Sequence, residues 1–293
     1  DVTISGLTID GDNTAITSGY SSTNGADIDA AEGITVYETG INNLKVTNNI
    51  FKNLSYFGVT LYDYPAAVPS SGHLIANNKF QDFGTYDAAS GIAYWGGGVL
   101  LYNNQYARVV DNCMANLRIG VQTGNFHLAN PEASTYQFIG NNTMSVRRRG
   151  IFHNLFYGAA SPLTLSDNII TGVANANESV WDGILIASQS VASYAIDNSI
   201  NGIAITGKPT EGYEVWNVKN TSPAEITGGN VSNTSIGLFV NNYEGYVSDA
   251  GDGAHAIVSG LVISDCPTGA KISDSPLSTH AAVSATITDD TEI

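Results

Sequence analysis

Positive charge is scarce in this chain. Eleven Lys and Arg residues stand against 27 Asp and Glu, for a formal net charge of −16. No broad basic face can be built from so few cations, which removes nucleic acid and anionic membrane surfaces as partners. Long apolar runs are missing too: nothing approaches the roughly 18 residues of a membrane span, and no charged-then-apolar leader opens the chain. Cysteine is limited to Cys113 and Cys266. In a stack of strands about 4.8 Å apart, these two fall several layers from one another, too far for a disulfide, and are expected as buried free thiols. Helical periodicity over 10 to 15 residues is absent, which excludes strand-helix-strand architectures.

What is present is turn chemistry and repetition. The chain carries 31 Gly and only 13% charged residues, too apolar for disorder and too turn-rich for a helical protein. A Gly followed by an apolar-x-apolar run recurs at Gly33, Gly58, Gly98, Gly120, Gly150, Gly183, Gly202, Gly237 and, more weakly, Gly269, with gaps of 19 to 40 residues. A second series, Asn49, Asn78, Asn112, Asn142, Asn168, Asn198 and Asn230, has gaps of 26 to 34. Two interleaved series with a common mean period describe one coil of a solenoid, and gap variation falls in loops. The runs are short, alternating, and rich in β-branched and aromatic residues, so they read as strands. Asn at the corners tolerates left-handed backbone while bonding neighbouring main chain.

The runs GITVYE, GVTLYD, GVLLYN, GILIAS and GLFVNN, each linked to an Asn-bearing run, resemble the parallel β-helix repeats of the pectate-lyase-like superfamily over residues 1 to 275. The resemblance implies an all-β, right-handed parallel β-helix of about nine to ten coils, forming one domain over 1–293 with an irregular terminal coil at 267–293. We expect a monomeric segment of a longer secreted or cell-surface chain. Long insertions are expected at Tyr64 to Gly72, Gly84 to Gly97, Phe126 to Tyr136 and Gly207 to Glu225, as walls of a binding groove.

Aligning coils on the Gly, with the first following residue inward, puts Tyr37, Tyr62, Tyr102 and Gly124 in one outward ladder. The next position reads Glu38, Asp63, Asn103, Asn125, and two residues before the Gly stand Tyr56, Gly96, Arg118, Arg148, Trp181. The tyrosines offer platforms for sugar rings or simply stabilise the sheet, with Trp95 as a groove wall and Trp181, Asn103 and Asn125 as further contacts. Glu38 and Asp63 form a candidate Ca²⁺ site or acid/base pair, against two solvated carboxylates. Arg118 and Arg148, flanked by Arg147 and Arg149, suit a carboxylated or sulfated sugar, against internal pairing with a nearby Asp such as Asp111 or Asp182. His127, His153 and Tyr157 are candidate proton-transfer groups, although His153 is in phase with core positions. No organic cofactor is implied.

Within the superfamily the resemblance includes lyases, hydrolases, tailspikes and adhesins. The Asp-Pro-His-Asp signature of mannuronan epimerases and the Gly-His-Gly with paired Asp of polygalacturonases are both missing. Two readings therefore follow. One is a polysaccharide lyase-like enzyme that acts on or binds an acidic polysaccharide through uronate chemistry. The other is a non-enzymatic adhesin segment or tailspike-like module that binds a cell-surface glycan.

Overall fold

The computed structural model describes residues 1–16, 25, 27–37, 40–63, 70–84, 96–104, 106–125, 136–155, 163–174, 178–187, 192–216, 222–242, 253–273, 283–288 and 290–293. Among them there is no helix, and hence none long and apolar enough to cross a membrane. Every strand pair is parallel. The chain is a parallel β-solenoid, as the resemblance implies.

Each coil contributes strands to successive sheets. The first sheet stacks ten strands, from Val2–Ser5 through Leu44–Thr47 and Arg108–Val110 to Val283–Ile287. The second runs from Thr8–Asp10 through Ile50–Lys52 to Val262–Ser264, and the third from Ile34–Val36 through Phe57–Tyr62 to Thr268–Ser273. The 13-residue strands Cys113–Asn125 and Thr143–Leu155 belong to both, fusing the second and third sheets at mid-stack.

The core lies between the sheets as columns of like residues. Val46, Ile75, Val109, Ile139, Leu165, Ala195, Ile226 and Val258 stand in register on the first sheet, each almost wholly buried. Phe51 and Phe80 stack with ring centroids 4.9 Å apart. Such columns form because every coil presents the same inward position to its neighbour, so apolar area is removed from water along the whole axis.

The corner between the first and second sheets is an asparagine ladder. The main-chain N–H of Asn78 and its Nδ2 both donate to Oδ1 of Asn112, at 2.9 and 3.1 Å, while Nδ2 also reaches the Val46 carbonyl at 2.8 Å. The pattern repeats at Asn49, Asn112, Asn142 and Asn168, and ends on Asn198. The residue before each is left-handed: Asn48, Asn77, Asp111, Asn141, Asp167 and Asp197 have φ between 50° and 57°. The seventh Asn of the series falls outside. Asn230 pairs with Ser199 in the strand, and Gly228 and Gly229 take the corner.

The glycine series marks a different corner. A Cβ on Gly120, Gly150 or Gly183 would lie 2.5 to 2.6 Å from the carbonyl oxygen of the next glycine in the stack. At this bend two successive residues face inward, and only a bare Cα lets the coils close. The series does not include Gly202: it is Gly212 whose absent Cβ faces the Gly237 carbonyl at 2.5 Å. The expected insertion at Gly207 to Glu225 is thus corrected, because it contains the fully buried strand Thr210–Trp216. The cysteines are free, but Cys113 is exposed rather than buried, as it opens its strand on the outer side.

Candidate functional site

Outside the third sheet, side chains form three columns. One residue before each glycine stand Glu32, Phe57, Gly97, Ile119, Arg149, Asp182, Glu211 and Ile236. Two after it stand Thr60, Leu100, Gln122, Phe152, Leu185, Glu214 and Phe239; two further on stand Tyr62, Tyr102, Gly124, Ala187, Trp216 and Asn241. Unlike the first sheet, whose strands alternate buried and open, Gly97–Tyr102, Trp181–Ala187 and Thr210–Trp216 are buried on both faces. A face that is covered yet carries charge is where chemistry is to be sought.

Its centre is acidic. Asp182 and Glu211 are register partners in adjacent coils, Glu214 stands three residues further along, and one carboxylate oxygen from each lies within 4.8 Å of the others. All three are buried. Arg149, Asp182's partner on the other side, places Nε 2.5 Å from Oδ2, and its guanidinium lies 4.4 Å from the centre of the Phe152 ring. Asn241 donates to Glu214 at 3.0 Å. Burial first, then the charge of Asp182 and of Glu214, pushes Glu211 up to about 9. Burial and Asp182 likewise push Glu214 up to about 8. Crowded carboxylates in a desolvated place retain protons or gather a cation, and these three can hold a metal ion. Phe152, Leu185, Ala187 and Trp216 pack into an apolar floor alongside.

Of the triad the sequence named Asp182 alone, and only as a pairing partner for the arginines, which it is for Arg149; Glu211 and Glu214 were not nominated. The nominated tyrosines do stack: Tyr37 to Tyr62 and Tyr62 to Tyr102 have centroids 5.6 and 5.5 Å apart, tilted by 55° and 70°, so they form a herringbone rather than one flat platform. The Tyr37 hydroxyl donates to Glu32, and burial together with that carboxylate pushes its phenol up to about 12.

Several expectations are corrected. Trp181 faces the core, fully buried, with Nε1 donating to the Val146 carbonyl at 3.1 Å. His153 is also fully buried in the core, in register between Thr123 and Ile186, and burial drives it down to about 3. Asp63 is anchored by Ser70, whose main-chain N–H and hydroxyl reach its two oxygens at 2.6 Å each, and so brackets the returning chain, while its expected partner Glu38 lies outside the described residues. Asn103, left-handed and buried, donates to the Asp63 carbonyl at 2.8 Å. Arg118 and Arg148 do converge, but on Glu178: Arg118 Nε is 2.6 Å and Arg148 Nε 3.9 Å from its oxygens. Asn125 closes its strand opposite Leu155, with its side chain outside the described residues. Glu38, Trp95, His127 and Tyr157 also lie outside them.

Fold and site together define a parallel β-solenoid with a buried carboxylate cluster on one outer face. No family model matches the chain, and no curated protein does. Among solved structures it is similar to the catalytic unit of a thermostable GH87 alpha-1,3-glucanase from Streptomyces thermodiastaticus strain HF3-3, with a TM-score of 0.51 and 13% identity. The match covers 89% of this chain and 50% of that one, so the chain spans about half the length of this neighbour. At that identity the likeness shows the fold alone.

Proposed function

We propose that this chain is a carbohydrate-active enzyme, working outside the cell, that cleaves glycosidic bonds on the outer face of the third sheet. One observation carries the reading: Asp182, Glu211 and Glu214 meet within 4.8 Å beside the Phe152, Leu185 and Trp216 floor. A glycosidic bond breaks when its oxygen receives a proton as a second carboxylate supports the anomeric carbon or activates water. Glu211, which keeps its proton near neutrality, is the donor; Asp182, paired with Arg149, is the carboxylate. The apolar floor suits a sugar ring. The fold shared with a glucanase supports the reading by analogy.

A second reading rests on the same oxygens. Their spacing also suits a divalent cation, and cation-assisted β-elimination from a uronate would use them as ligands. Incubation with α-1,3-glucan, pectate and alginate, with Ca²⁺ and with chelator, separates the two. We expect new reducing ends without unsaturated products, and a loss of kcat of about 10²- to 10⁴-fold in Glu211→Gln. Unsaturated products that require Ca²⁺ would establish elimination instead. Binding to one of these polymers with no cleavage of any would establish a glycan-binding or adhesive module.

A further inference from the structure

The cationic cluster next to the triad carries more charge than its partners cancel. Arg147, Arg148 and Arg149 are consecutive, and the register against the preceding coil slips there: Leu117 pairs with Val146 but Ile119 with Arg149, so two residues oppose the single Arg118. A bulge of this kind re-aims side chains and is frequent beside functional sites. Arg149 turns to Asp182. The other three guanidinium groups gather about Glu178, whose side chain is 2% exposed. Arg118 takes both its oxygens, at 2.6 and 3.2 Å, while Lys208 donates to the Glu178 main-chain carbonyl.

Arg147 is left short of acceptors. Its Nη2 donates to the Gly84 carbonyl at 2.9 Å, yet among the described residues Nε and Nη1 meet no acceptor, although the residue is only 2% exposed. Arg148 Nε, 3.9 Å from Glu178, also makes no hydrogen bond there. A buried guanidinium with idle donors is costly relative to a satisfied one, because the charge has left water without gaining the acceptors that would replace it. Burial and the neighbouring arginines push both Arg147 and Arg148 down to about 10. The cluster is not sealed, since the Arg148 side chain is 23% exposed.

We propose that Arg147 and Arg148 form an anion subsite beside the carboxylate triad, which receives a carboxylate or sulfate group of an acidic glycan. The substrate class, but not the anion site itself, rests on the glycan-cleaving reading above. Three guanidinium groups share one carboxylate, so a monoanion entering past Arg148 meets idle donors already desolvated and pointed, the condition under which charge-assisted hydrogen bonds are strongest. It also explains why clustered arginines persist in a chain with so few cations.

The test is titration of the whole chain with galacturonate, with inorganic sulfate and with glucose at fixed ionic strength, following melting temperature and heat of binding. Galacturonate or sulfate, but not glucose, should raise the melting temperature saturably, and the better of the two names the group that is read. Affinity should fall at least about tenfold in Arg148→Gln, and in Arg147→Lys if that variant folds, as expected for a lost charge-assisted bond. No shift with either anion beyond the glucose control overturns the proposal, as does wild-type affinity in Arg148→Gln. Anion binding without cleavage of any polymer keeps this subsite and removes the proposed reaction. Cleavage of neutral glucan by a protein blind to both anions does the reverse.

Discussion

At the scale of single residues, the outer face is governed by what burial does to charge. Arg149 and Asp182 are each nearly inaccessible, with side-chain exposures of 11% and 1%, and their 2.5 Å contact repays a desolvation that neither could bear alone. Removing one member strands the other. Arg149→Ala is expected to destabilise by about 3 to 5 kcal/mol, and the Arg149→Ala, Asp182→Ala double variant by less than the sum of the singles. Urea titration of the four proteins checks this; additivity would mean that the pair is not coupled. Trp181 makes a different claim on the same strand. Because its indole lies wholly in the core, Trp181→Ala should cost about 3 to 5 kcal/mol in the same titration, without regard to any ligand. A wild-type midpoint would put the indole back on the outer face.

At the scale of the repeating element, the asparagine ladder separates position from composition. Asn142 is buried, accepts from Asn112 and donates to Asn168 and the Val109 carbonyl, so Asn142→Ala leaves several buried groups without partners. A loss of about 2 kcal/mol or more is expected, against no more than about 0.5 for the exposed Asn230→Ala. Equal losses would refute the ladder as a stabilising device. Much of this element was legible beforehand: the Asn spacing located six of the ladder's corners, and the Gly spacing located most of the bends. What escaped was Thr210–Trp216. Gly202 satisfies the same local pattern as Gly212, and TEGYEVW has acidic residues at the positions where other coils carry apolar ones, so it read as a polar insertion. Yet Gly183 to Gly212 is an ordinary interval for the series, and Tyr213 and Val215 alternate inward as Ile184 and Ile186 do. Glu211 and Glu214 were missed because their own charge disguised the strand that carries them, whereas Asp182 lies on the recognised coil of Gly183. Trp181 fell on the other side of the same limit, since a one-residue bend at the corner decides which face a side chain takes, whereas the inward place of His153 follows from the alternation after Gly150.

At the scale of the whole molecule, two buried populations with opposite proton affinities shape stability. His73 and His153 are driven by burial down to about 4 and about 3 from an ordinary 6.5, so the unfolded chain binds protons that the fold refuses. Their contribution is complete above pH 6.5 and is lost as pH falls toward 3. Glu211 and Glu214 are raised to about 9 and about 8 from 4.5, so the fold binds protons that the unfolded chain releases. That contribution is complete below pH 4.5 and is lost as pH rises toward 9. Between 4.5 and 6.5 the two slopes oppose each other. The expected profile of melting temperature against pH is therefore a plateau over that interval, with an acid limb set by the histidines and an alkaline limb set by the glutamates. The net charge of −16 steepens the alkaline limb through self-repulsion. In the Glu211→Gln, Glu214→Gln double variant most of the alkaline limb should disappear while the acid limb stays. Calcium that occupied the three carboxylates would flatten the same limb in the unaltered protein, because a bound cation takes over the stabilising role of the protons. An alkaline limb that survives the double substitution unchanged would show that the triad is solvated, and with it would go the proton donor on which the proposed cleavage depends.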